Sequence, residues 1–192
     1  MESVARSLTV ALGERDTHTR VHCERVVQLA EELGRHIELS TAEIELLTLG
    51  AQFHDIGKIG IPDNVLRKPA PFEREEWECM KQHTLIGERI ILAIGAEHSA
   101  ELGRIVRHHH ENFDGSGYPD QLKNNDIPLL SRIISLTDNY DAMAASRPYH
   151  KARRHQAVMD ILSSEEGIKH DPDLLHAFCT VIEKSEMRCS DS

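Results

Sequence analysis

Apolar residues recur at intervals of three and four along almost the whole chain, and no segment sustains the period-two alternation of a half-buried strand. A chain patterned this way buries its apolar stripes by packing helix on helix, so the expected fold class is all-α. The spacing predicts a first long helix over 17–35, with Val26, Leu29 and Leu33 on one stripe and Gly34 near its end. Ser40 and Thr41, followed by Glu43 and Glu45, mark a second helix start, and that helix should end at the punctuation between Gly57 and Pro62. A loop is expected over 63–71. Further helices are expected over 72–80, 85–94, 99–109, 129–145, 154–163 and 172–184. Between positions 112 and 128, Gly115, Gly117, Pro119, Asn124, Asn125 and Pro128 cluster into one long ordered loop, of a length that often carries function.

The chain has 192 residues, enough for one compact domain with a sizeable core. The expected organisation is a lead-in helix or linker over 1–15, one domain over 16–185 and a fraying tail over 186–192. With 32 acidic and 22 basic side chains the net charge is −10, so generic attraction to nucleic acid or anionic lipid is excluded as the organising force. Any anionic ligand needs local cations. The four cysteines, Cys23, Cys79, Cys179 and Cys189, form no C-x-x-C pair, and no apolar run approaches the ~20 residues of a membrane span. The first fifteen residues lack the continuous apolar region of a secretory signal. A soluble, cytoplasmic protein with no nucleic-acid or membrane partner is expected.

Histidine is the outlier, at 13 residues, roughly three times what ordinary composition supplies. It is the commonest metal ligand and the usual proton shuttle near neutral pH. His22 shares the stripe of Val26, Leu29 and Leu33, and His109 follows Leu102, Ile105 and Val106 in the same manner. Asp138 and Asp141 fall on one face of an apolar helix, and a buried carboxylate among histidines asks for a cation. Taken singly, each has a plainer reading: a core histidine bonded to a carbonyl, or a solvated helical aspartate. Taken together, His22, His54, Asp55, His83, His109, His110 and Asp138 sit at the ends or on apolar faces of different helices, as in bundle-core metal sites. Imidazole and carboxylate without thiolate suit iron, manganese, zinc, cobalt or nickel. Seven candidates exceed one tetrahedral centre and Asp55 can bridge, so two ions are implied. Paired metals generate hydroxide at neutral pH and clamp the oxygens of an in-line phosphoryl displacement, which makes phosphoester hydrolysis the natural chemistry.

The run from His54 to Asp63, HDIGKIGIPD, resembles the HD signature. His109-His110-Glu111, Asp114-Gly115, Gly117-Tyr118-Pro119 and Arg147-Pro148-Tyr149 resemble the remaining motifs of the HD-GYP phosphodiesterase family, over about 16–172. The resemblance implies an HD-superfamily helical bundle with an ordered GYP loop, and hydrolysis of cyclic di-GMP to pGpG and in some members onward to GMP. It implies that the seven residues above are metal ligands, with Asp55 as the bridge, and that two divalent ions are bound, iron or manganese foremost. It also gives Lys58 and Asp55 catalytic roles, Lys58 facing the scissile phosphate. Arg147, Lys151 and Tyr118 become substrate contacts alongside Lys58. The GYP loop is either a pocket wall, a docking surface for a diguanylate-cyclase (GGDEF) domain, or a structural turn. Asp16 is either near the site or a helix cap.

The sequence also departs from the family pattern. His18 stands where some members carry a third-metal glutamate, so the count of two or three ions stays open. His150, followed by Lys151, replaces a common lysine, and the loop Asp120-Gln121-Leu122-Lys123-Asn124-Asn125 replaces common glycines. His108 is taken as a neighbour of the histidine pair rather than a ligand. Two alternatives stand beside the leading reading. One is a non-catalytic adaptor that binds a cyclic dinucleotide or a diguanylate cyclase, and the other is a hydrolase of another cyclic dinucleotide such as cyclic GMP-AMP.

Overall fold

The computed structural model describes residues 19–145 and 153–190, with Val10 and Gly13 in addition. Among these residues the regular structure is helical throughout: α1 (Thr19–His36), α2 (Thr41–Phe53), a 3₁₀ turn (Ile56–Gly60), α3 (Asp63–Leu66), α4 (Arg74–Lys81), α5 (His83–Ile94), α6 (Ser99–His108), a 3₁₀ turn (Asn124–Asp126), α7 (Leu129–Ala144), α8 (His155–Ser164) and α9 (Pro172–Ile182). The all-α expectation therefore holds. The Ser40 cap forms a reciprocal box: its hydroxyl accepts from the Glu43 N–H, and its own N–H donates to the Glu43 carboxylate at 2.8 Å. Asp171, with Pro172 behind it, caps α9 by accepting from the N–H of Asp173 at 3.0 Å.

The stripe of α1 is the spine of the core. Val26, Leu29 and Leu33 are fully buried against Leu47 and Ala51 of α2, Ile133, Ile134 and Tyr140 of α7, and Phe178 and Ile182 of α9. Beside this bundle, α5 lies along α6 and against the 3₁₀ turn that follows α2. That second contact is unusually close. A Cβ on Gly57 would sit 1.8 Å from the carbonyl oxygen of His83 and 2.5 Å from the amide nitrogen of Gly87. Only glycine lets the turn rest directly on the first turn of α5.

Three expectations need correction. The second helix, expected to end between Gly57 and Pro62, ends at Phe53 and gives way to the 3₁₀ turn Ile56–Gly60, which rests Gly57 on the backbone of α5. The segment 63–71 is not all loop: Asp63–Leu66 forms a helical turn, its start fixed by the Pro62 carbonyl, which accepts from Val65 and Leu66. Val65 is buried with Ile61 and Met80 in a small satellite core, and this tertiary contact outweighs the local Pro and Asn signals. The tail expected to fray over 186–192 docks instead as far as it is described. The Cys189 N–H donates to the Tyr140 hydroxyl at 3.0 Å, and the Ser190 carbonyl accepts from the His155 N–H.

The loop over 112–128 is ordered by backbone hydrogen bonds, within it and to its neighbours, and by carboxylates at Glu111 and Asp120. Glu111 is buried and accepts from the N–H of Asp120 at 2.7 Å and of Leu122 at 3.1 Å. The Tyr118 N–H donates to the His110 carbonyl at 3.1 Å, and the Asp114 N–H to the Ile168 carbonyl. Gly117 packs so tightly that a Cβ there would meet the Asn112 amide nitrogen at 2.2 Å. The Tyr118–Pro119 bond is cis.

Candidate metal centre

Helix ends deliver the histidines to one place. His54 is the last cap of α2, His83 opens α5, and His109 and His110 follow α6. The rings then form a continuous array, with centroids 5.5 Å apart for His22 and His54, 5.3 Å for His54 and His109, 5.4 Å for His83 and His109, and 4.1 Å for His109 and His110. All seven candidate ligands meet in this region, most of them buried.

Three of the histidines are held by the same local device. Nδ1 of His54 lies 2.7 Å from the Ala51 carbonyl oxygen, Nδ1 of His83 lies 2.8 Å from that of Met80, and Nδ1 of His109 lies 2.6 Å from that of Val106. A carbonyl oxygen can only accept, so each Nδ1 carries a proton, and in the neutral ring the Nε2 opposite presents a lone pair inward. The chain does not satisfy those lone pairs. Nε2 of His54 is buried without a hydrogen-bond partner, and Nε2 of His83 faces Nε2 of His109 at 3.4 Å.

Protonation does not resolve the conflict. Burial, outweighing the nearby Asp55 carboxylate, lowers His83 to about 4, and burial together with His83 lowers His110 to about 3. His109 is pushed well below its ordinary value by burial and by the neighbouring His110 and His54. These three rings are neutral donors of lone pairs at pH 7.

The carboxylates are placed to complement them. Asp55 sends Oδ1 toward Nε2 of His83 at 3.8 Å and Oδ2 toward Nε2 of His54 at 3.4 Å, so one carboxylate addresses both halves of the array. Burial alone would raise its pKa, but Lys58 foremost, then His54 and His83, hold it well below the usual carboxylate range. Lys58 Nζ lies 2.6 Å from Asp55 Oδ2. Asp138 Oδ1 lies 3.1 Å from Nε2 of His22, and this pairing overcomes burial to keep Asp138 ionised. Burial would likewise lower His22, yet Asp138 and Asp141 outweigh it and raise the imidazole to about 9.

Potential ligand atoms group into two sets, each within 4.8 Å internally: His22, His54 and Asp55, and His83, His109 and His110. A third set, His108, Glu111 and Asp120, is occupied with other work. Arg107 grips both oxygens of Asp120 at 2.6 and 2.8 Å, His108 Nε2 lies 2.8 Å from the same carboxylate, and Glu111 holds the loop backbone. His108 is thus a loop anchor beside the site.

Of the expected substrate contacts, Lys58 and Tyr118 border the array, with the Tyr118 ring centroid 5.0 Å from that of His110. Arg147 and Lys151 lie outside the described residues, as do Asp16, His18 and His150. Two site residues went unassigned at the level of sequence. Asp141 shares a helix face with Asp138, and its carboxylate holds Nδ1 of His22 at 2.8 Å while also pairing with Arg25. Glu111 was part of a motif without a task. Its burial next to a histidine pair is the signal that finds it.

Comparison with known proteins places the chain among HD-domain proteins. A family model described as HD domain matches residues 6–174. A cyclic di-GMP phosphodiesterase of Thermotoga maritima is 39% identical over 171 residues, covering 85% of this chain and 45% of the relative. A cyclic di-GMP phosphodiesterase of Vibrio cholerae is 40% identical over 192 residues, covering 93% of this chain and 39% of the relative. A solved cyclic GMP-AMP specific phosphodiesterase of Vibrio cholerae matches with a TM-score of 0.68 at 18% identity, over 86% of this chain and 44% of that one, a likeness of fold. The chain spans less than half the length of each of these relatives. Among the described residues, no helix is long and apolar enough to cross a membrane.

Proposed function

The chain belongs to the HD domain family, and from that premise we propose that it is a metal-dependent phosphodiesterase that opens cyclic di-GMP to linear pGpG. The observation that carries this reading is the inward set of Nε2 lone pairs, two of them only 3.4 Å apart, in rings whose other nitrogen is committed to a carbonyl. Neutral acceptors facing one another are a conflict that a cation removes. The donor set is imidazole and carboxylate without thiolate, which fits iron or manganese.

His22, His54 and Asp55 would hold one ion and His83, His109 and His110 a second, with Asp55 reaching both sets and Asp138 joining beside His22. Bound there, a pair of divalent ions would supply Lewis-acid activation of water and neutralise charge at the scissile phosphate. The protein's own contribution is positioning. The i−3 carbonyls fix three ring orientations, and Asp141 fixes a fourth. Lys58, held at Asp55, offers an ammonium to the phosphate and to the departing 3′ oxygen, where negative charge develops. These cations let a chain of net charge −10 accept a dianionic ligand.

Because a relative specific for cyclic GMP-AMP shares this fold, the fold does not choose the base. The test is a competition. Metal-loaded protein given equal cyclic di-GMP and cyclic GMP-AMP should convert the former to pGpG first. Preferential loss of cyclic GMP-AMP would reassign the substrate, and binding without turnover of either would make the chain a sensor.

A further inference from the structure

Aromatic side chains are scarce, at 4% of the chain, and three of the seven described ones are spent on the core: Phe53, Tyr140 and Phe178 are essentially inaccessible. Two are exposed. Phe72, just ahead of α4, is 37% exposed, and Trp77, the single tryptophan, is 44% exposed on α4, whose other exposed residues are polar. Their rings stack on each other, with centroids 6.1 Å apart and planes 25° from parallel. Trp77 also meets Tyr118 nearly at right angles, at 6.0 Å. Tyr118 in turn lies 5.0 Å from His110 and 6.5 Å from His83. The exposed pair is therefore the outer end of a run of rings that starts in the metal centre. Lys81 Nζ stands 5.8 Å from the Tyr118 ring centroid, which puts a cation at the edge of the same shelf.

An exposed, stacked indole two ring contacts from His110 is what a flat heterocycle attached to a phosphate at that centre would require. Bases stack on aromatic faces whatever their hydrogen-bonding edges, and large exposed apolar surface beside a polar cleft marks a ligand surface. Resting on the phosphodiesterase reading above, we propose that Trp77, backed by Phe72, is the stacking face for one nucleobase of the cyclic dinucleotide, and that Tyr118 connects this shelf to the metal centre. The shelf supplies affinity for the base and takes no part in the chemistry at phosphorus.

The test compares wild type, Trp77→Ala and Trp77→Phe, each loaded with Mn²⁺, on cyclic di-GMP and on methyl p-nitrophenyl phosphate, a diester without a base. Trp77→Ala should raise KM for cyclic di-GMP about ten-fold with kcat little changed, because the lost contact is shared by ground and transition states. Metal content and hydrolysis of the baseless diester should be unaffected, and Trp77→Phe should recover most of the loss. The lone indole adds a direct readout, since its fluorescence should be quenched while cyclic di-GMP is bound. An unchanged KM in Trp77→Ala, or a parallel fall on both substrates, would overturn the shelf. Wild type that cleaves the simple diester but not cyclic di-GMP would instead overturn the dinucleotide reading on which the shelf rests.

Discussion

His22 is held between two carboxylates of one helix: Asp141 Oδ2 lies 2.8 Å from its Nδ1 and Asp138 Oδ1 lies 3.1 Å from its Nε2. Asp141 is fully buried and also paired with Arg25, whose guanidinium reaches the Met187 carbonyl at 3.4 Å. Asp141 is therefore a positioning residue that fixes which nitrogen of His22 faces the centre. Asp141→Ala should weaken metal affinity by about 10- to 100-fold, with turnover largely restored at saturating metal. Metal titration of wild type and variant checks this, and unchanged affinity would show that Asp141 serves only the fold.

Gly57 is a steric requirement of the centre. The nearest obstacles to a side chain are backbone atoms of His83 and Gly87, which cannot swing aside. Gly57→Ala should cost about 3 kcal/mol of stability, the upper part of the range for overpacking, and should separate Asp55 from His83. Denaturant unfolding together with bound-metal analysis reads both effects, and a variant with wild-type stability and metal content would refute the close contact.

Glu111 ties the GYP loop to the end of α6 through two backbone N–H groups. A glutamine keeps one acceptor oxygen and presents a donor where the other stood. Glu111→Gln should lose about 1–3 kcal/mol, the cost of leaving a buried amide without an acceptor. Amide exchange over 118–122 should quicken while that of the α1 core stays slow. Uniformly slow exchange in the variant would locate the loop's support elsewhere.

Protons act on the chelated protein in two opposite directions. Burial foremost lowers His170 and His83 to about 4 and His110 to about 3, all from an ordinary value of 6.5. The unfolded chain binds these protons first, so stability should fall as pH drops below about 6.5, by about 1.4 kcal/mol per pH unit for each histidine. His22 runs the other way. Its pKa is raised to about 9, so its contribution is complete below 6.5 and is lost as pH climbs through 9. Stability should therefore peak near neutrality, as read from denaturant midpoints between pH 5 and 9, and His170→Gln should flatten the acid limb. A midpoint that rises toward pH 5 would contradict these burial effects.

Much of the bundle is legible in the sequence because long amphipathic helices announce themselves: the Val26, Leu29 and Leu33 stripe and the Ser40 cap stand where the periodicity places them. Long-range contacts are what local pattern misses. Val65 nucleates a helical turn only because Ile61 and Met80 close over it, and Cys189 is captured by a hydroxyl 49 residues away. The same holds at the site. The histidines can be gathered from motif and stripe, but the pairing of Asp141 with His22 spans 119 residues, and nothing near either one signals it. Trp77 reads as an ordinary surface residue until Tyr118 is seen beside it.

Asp55 reaches toward both histidine sets, so its loss should disable both halves of the proposed metal centre at once. The most direct measurement is anaerobic turnover of cyclic di-GMP with Mn²⁺ or Fe²⁺, following pGpG and GMP, for wild type and Asp55→Ala side by side. The wild type should form pGpG in a metal-dependent way, and Asp55→Ala should form none. Absence of product from metal-loaded wild type, or equal product from Asp55→Ala, would contradict this.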